Sequence, residues 1–185
     1  MKKWLFSISV IVVVLILGTS WTLAQRRPTV NPDLTSGGPL AFGPEDTLFV
    51  ADNMAATIFA LRLDSEEFGD TEGTASVSGL DQKIAAMLGT VADEILINDI
   101  AVSPNSKNTF LSVSRDSADT STPVLLRVDG TGTIDVIELD QIAYTRIELP
   151  NPADDFVQPS RPGPRPTYLG AQNRRMETVT DLEYL

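Results

Sequence analysis

Any chemistry in this chain has to rest on oxygen donors and on cations other than imidazole. The sequence contains no Cys and no His. That removes Ser-His-Asp and Cys-His nucleophile systems, His-ligated zinc, haem attachment through Cys-x-x-Cys-His and iron–sulfur clusters. Carboxylates, Lys, Arg, Tyr, Ser and an oxygen-ligated metal remain. Asp52-Asn53 directly follows an apolar strand, and such a pair suits Ca²⁺ or Mg²⁺, which take oxygen ligands only. The same pair can instead close a turn by bonding its own backbone. Asp99 and Asp181 occupy matching places just before their apolar triplets, preceded by Asn98 and Thr180; the matching residue in the first copy is Pro39. A ring of such aspartates can line a channel, or each can bond turn amides, and the second arrangement is the one expected. Arg115, just after Val113, is placed to pair with one of these carboxylates or with an anionic ligand, or to stand exposed at a strand end. The run Asp64, Glu66, Glu67, Asp70, Glu72 lacks EF-hand spacing and reads as a solvated acidic loop. No residue is assigned a catalytic role.

The elements that must position these side chains form a repeat. Asp99 to Val113 is two short apolar runs around a Ser-Pro-Asn-Ser-Lys-Asn turn. An upstream copy runs from Leu40 to Ala51 around Gly43-Pro44-Glu45-Asp46, where Pro presets φ. Within Thr57–Leu63, Phe59, Leu61 and Leu63 alternate with Ile58, Ala60 and Arg62, the period of a half-buried strand. Leu80, Ile84, Met87 and Leu88 recur at helical spacing, with Asp81 as a cap and Gly89 as a stop. The second unit continues with strands over Pro123–Val128 and Thr133–Leu139 around Asp129-Gly130-Thr131-Gly132. Tyr144–Leu149 reads as one more short strand. Pro150 to Pro166 is too Pro-rich for a regular element and reads as a loop over 150–175. A third unit is expected to start at 179 with an apolar strand.

The N-terminus speaks to compartment. Lys2-Lys3, the apolar run Trp4–Leu17 and the small residues of Thr22-Leu23-Ala24 are the parts of a secretory signal peptide over 1–24, with cleavage before Gln25. The alternative is a retained membrane anchor over residues 4–23. Residues 25–38, rich in Pro, Asn, Thr and Gly, read as an extended leader. The chain carries 25 acidic against 14 basic residues, a net charge of −11, and loss of Lys2 and Lys3 makes it more negative. Such a surface repels nucleic-acid phosphates and anionic lipid. Both Trp residues lie in the leader peptide, so stacked indoles for sugar binding are absent beyond it.

Ile100-Ala101-Val102-Ser103-Pro104-Asn105-Ser106 followed by Thr109-Phe110-Leu111-Ser112-Val113 resembles the blades of YVTN-type bacterial β-propellers. Leu40-Ala41-Phe42-Gly43-Pro44-Glu45-Asp46-Thr47-Leu48-Phe49-Val50-Ala51-Asp52 is similar to blades of the NHL and gluconolactonase-like groups. Asn105-Ser106 departs from the usual Asp-Gly, and the Trp motifs of WD40 and quinoprotein blades are missing. The resemblance implies an all-β, partial β-propeller over 39–185, with blade-like units at about 39–64 and 95–140. Since a propeller ring takes about four or more blades, the expectation is the N-terminal part of a longer protein. The function expected is an exported binding or scaffold module for a protein or small-molecule partner, periplasmic or extracellular. The resemblance to gluconolactonase-like enzymes implies an alternative, a metal-dependent lactonase or esterase with Asp52 and Asn53 among the ligands of a divalent cation. A second alternative is an oxidoreductase.

Overall fold

The computed structural model describes residues 29–63, 76–117, 120–155, 157–158 and 172–185. The signal segment 1–24, the first residues of the expected leader, the acidic run after Leu63 and most of the Pro-rich stretch lie outside the described residues.

The described chain is mostly β. Strands β1 (Thr29–Val30), β2 (Leu40–Phe42), β3 (Thr47–Asp52) and β4 (Thr57–Arg62) precede helix α1 (Leu80–Leu88). Strands β5 (Ile95–Val102), β6 (Thr109–Ser117), β7 (Thr120–Val128), β8 (Ile134–Val136) and β9 (Ala143–Glu148) follow, with a short ribbon of β10 (Val157–Gln158) and β11 (Gln172–Asn173). The first sheet has the order β1-β9-β4-β3-β2 and the second β5-β6-β7-β8, with all pairings antiparallel.

The turns that join β2 to β3 and β5 to β6 form where Pro fixes φ. Gly43 N–H donates to Thr47 O across the first, and Ser103 N–H to Asn108 O across the second, both at 2.9 Å. Neither turn has glycine at its left-handed positions. Glu45 and Asp46 take φ of 55° and 52° in the first, and Lys107 a φ of 59° in the second, a region costly for a residue with a Cβ.

Tyr144 to Leu149 does form a strand, but its partner is remote. β9 pairs with β4, Ile58 opposite Ile147 and Ala60 opposite Thr145, so β2, β3 and β4 are completed by a strand that follows the whole second sheet. β1 adds to β9, Thr29 opposite Tyr144, so Thr29 and Val30, inside the leader expected over 25–38, belong to the sheet rather than trailing from it.

The alternation read in β4 holds. Phe59, Leu61 and Leu63 are buried and face the second sheet, forming one core with Leu40, Leu48, Val50, Phe110, Leu125 and Ile137. Phe42 meets Phe110 edge-on, ring centroids 5.1 Å apart, the geometry that aromatic quadrupoles favour. The far face of the second sheet, Leu111, Val113, Leu126 and Val128, is covered by α1 through Ile84. The second sheet therefore lies between the first sheet and the helix.

Helix α1 spans the expected residues, and Gly89 (φ 69°) ends it. Its start differs. The capping position is Gly79, with no side-chain cap, and Asp81 sits inside the first turn, where its charge complements the helix dipole. The C-terminal residues also depart from expectation. Arg174–Glu177 form a 3-10 turn, and no strand forms over 179–185. The segment lies against the first sheet through side chains, with Tyr184 stacked on Phe49, centroids 5.9 Å apart.

Candidate functional site

Asp52, at the end of β3, is fully buried. It accepts hydrogen bonds from Thr35 N (2.6 Å), Thr35 Oγ1 (2.9 and 3.0 Å), Ser36 Oγ (2.7 Å) and Ala55 N (3.0 Å). Ser36 Oγ in turn accepts from Met54 N at 3.0 Å. The carboxylate thus fixes residues 35–36 onto the turn after β3. Close approach there requires Gly38, since a Cβ would fall 2.5 Å from Ala51 O. Both carboxylate oxygens are spent on donors of the protein itself, and a buried carboxylate so satisfied is held by its hydrogen bonds rather than by a counter-cation.

Asn53 reaches the opposite way. Its Nδ2 donates to Met176 O (2.9 Å) and Val179 O (3.2 Å), and its Oδ1 accepts from Val179 N (2.8 Å). Asp52 and Asn53 are therefore adjacent clamps, one on the segment between β1 and β2 and one on the segment near the C-terminus.

Asp99 links the two sheets. Its Oδ2 accepts from Leu40 N at 2.7 Å and its Oδ1 from Ile100 N at 2.8 Å. Asp181 repeats the local half of this arrangement, accepting from Leu182 N at 2.8 Å. Arg115 points to α1, where its Nη1 donates to Leu88 O at 2.9 Å, a favourable place for a cation at a helix C-terminus.

Asp46 has a role that the turn pattern alone hides. Buried in the first turn, it accepts from Ser103 Oγ (2.8 Å) and Asn105 Nδ2 (3.0 Å) of the second. The sequence shows two polar turns, and only the fold brings the Ser103-Pro104-Asn105 turn onto Asp46.

The structure therefore places the five candidates in separate networks. Among the described residues no three carboxylates stand close enough to hold a metal ion together, and none of the described helices is long and apolar enough to cross a membrane. What the arrangement does is mechanical. Asp46, Asp52, Asn53 and Asp99 tie turns, strand starts and terminal segments to one another.

No family model, curated protein or solved structure matches the chain.

Proposed function

We propose that the chain is an exported β-propeller module that works by binding or scaffolding, with its two sheets as neighbouring blades. One observation carries this reading: three segments with the same pattern run side by side in the same direction. β2 lies along β5, with Leu40 at Asp99 and Asp46 at Ser103. The segment 176–184 lies along the first sheet in the direction of β2, from Asn53 at one end to Phe49 at the other. Parallel edge strands such as β2 and β5, each bordering an antiparallel sheet packed on the other, are the geometry of blades about an axis. With Asp52, Asn53 and Asp99 engaged in holding this frame, recognition falls to the loops around it.

Two measurements test the reading. N-terminal sequencing of protein recovered from a bacterial periplasm gives Gln25 as the first residue; a full-length chain confined to the membrane fraction overturns export. Thermal unfolding with Ca²⁺, Mg²⁺, Mn²⁺ or Zn²⁺ leaves Tm unchanged. Stabilisation by one of them, together with lactone or ester hydrolysis, would transfer the function to the hydrolase class.

A further inference from the structure

The register makes three sets of residues equivalent. Ala41 pairs with Phe49 in the first sheet and Ala101 with Phe110 in the second, so Phe49 corresponds to Phe110. Counting from Pro39, Asp99 and Asp181, the third residues Phe42, Val102 and Tyr184 also correspond. The two aromatic contacts then join equivalent positions, edge-on in one case and stacked in the other. Phe42 of the first sheet sits on Phe110 of the second, and Tyr184 sits on Phe49 of the first. The hydrogen bonds agree. Leu40 N donates to Asp99 in the sheet below, whereas Leu182 N, facing a sheet with Pro39 in that place, bonds its own Asp181.

Among the described residues, the third member of the series has no seat. Ile100 and Val102 are the equivalents of Leu40 and Phe42, yet they are 58% and 57% exposed, with Ile97 beside them 37% exposed. Helix α1 buries the β6 and β7 part of this face together with Ile95 at the start of β5, and leaves Ile100 and Val102 exposed. An apolar row along an edge strand invites a partner. The partner surface it fits is already defined, since both observed seats are a phenylalanine opposite an alanine on a sheet face of this chain.

We propose that β5 of one copy, through Ile100 and Val102, docks on the Phe49 seat of a second copy after Tyr184 leaves it. This rests on the blade reading above. It makes a head-to-tail contact, which closes into a ring or continues as a filament according to the rotation between copies. Tyr184 is tethered to its own seat and competes at a high effective concentration, so association of the unaltered chain is weak. Because both copies are acidic, with a net charge of −11 each, screening by salt strengthens it.

The chain has no cysteine, so introduced thiols report single contacts. The full-length variants Val102→Cys and Phe49→Cys are mixed and treated with a short bismaleimide. The expected result is a cross-linked dimer in the mixture and none in either variant alone, with at least a fivefold higher yield when Tyr184→Ser is added to the Phe49→Cys chain. Ile100→Asp in the Val102→Cys chain abolishes the product. Equal cross-linking in single-variant samples, no product in the mixture at high salt, or a product insensitive to Ile100→Asp overturns the proposal. A Phe42→Cys/Phe110→Cys double variant cross-links within one chain. If that control fails, the blade arrangement is at fault; if it succeeds while the mixture gives nothing, only the docking is.

Discussion

The Asp99 carboxylate accepts the backbone N–H of Leu40 at 2.7 Å, across 59 positions of sequence. It thereby pins the edge strand β2 of one sheet to the edge strand β5 of the other, at the place where the repeat has Pro39 instead of an aspartate. Asp99→Ala leaves the Leu40 amide without its acceptor between two sheets. The expected cost is about 1–2 kcal/mol, read from the urea midpoint at unchanged m-value.

Asp52→Ala should be more damaging, because it strands the donors of Thr35, Ser36 and Ala55 around a fully buried position. A loss of about 3 kcal/mol is expected, lowering Tm by roughly 6–12 °C. Asp52→Asn falls between this and the parent, since the amide can still accept on one side. Calorimetry with and without Ca²⁺ checks the same point from the other direction: the parent gains nothing from the ion.

Asn53→Ala should release the C-terminal segment while leaving the sheets intact. It deletes the bonds to Met176 and Val179, so local opening of 174–185 becomes cheaper than global unfolding. Trypsin then cuts at Arg174 and Arg175 roughly tenfold faster, with no change in the main unfolding transition.

Glu45→Gly is expected to stabilise. Glu45 is exposed and holds φ at 55°, a conformation glycine adopts without the Cβ penalty. A gain of about 0.5–1 kcal/mol in chemical denaturation is anticipated.

The Asp129 loop carries a pH signature. The Thr131 hydroxyl, then the Thr133 and Thr131 amides, hold the Asp129 carboxylate below its ordinary value of 3.8, with a smaller aid from the charge of Arg127. Because the folded value is the lower one, the loop's contribution is present above the ordinary carboxylate range and lost as pH falls through the folded value. Titration by NMR should place the Asp129 midpoint below that of a carboxylate in an unstructured peptide, and Thr131→Ala should move it up.

Local patterns carried most of what the sequence disclosed. Pro44 and Pro104 mark turns, alternation around Phe59 and Leu61 marks a buried strand face, and Leu80 to Gly89 marks a helix, because each feature is decided by neighbours a few residues away. The partner of β9 was not legible. Tyr144 to Leu149 has the composition of a strand, but nothing in it encodes pairing with Ile58 rather than with β8. The same holds for Asp52 and Asn53, which read as turn or ligand residues. Their donors, Thr35, Ser36 and Val179, come from segments with no periodicity of their own. The C-terminal segment has the apolar residues of a strand, yet a strand also needs a hydrogen-bonded edge, and Tyr184 meets the face of the first sheet at Phe49.

The late arrival of β9 sets an order of events as the polypeptide emerges. β2, β3 and β4 are made first and are left with one bare edge while every residue of the second sheet is still to come. If export threads the chain N-terminus first, that edge waits for the stretch around Ile147, with Leu48 and Phe59 gaining their cover in the meantime. A translocation pause placed between Val136 and Ala143 would therefore hold the molecule with the β4 edge still bare, and one placed after Glu148 would not.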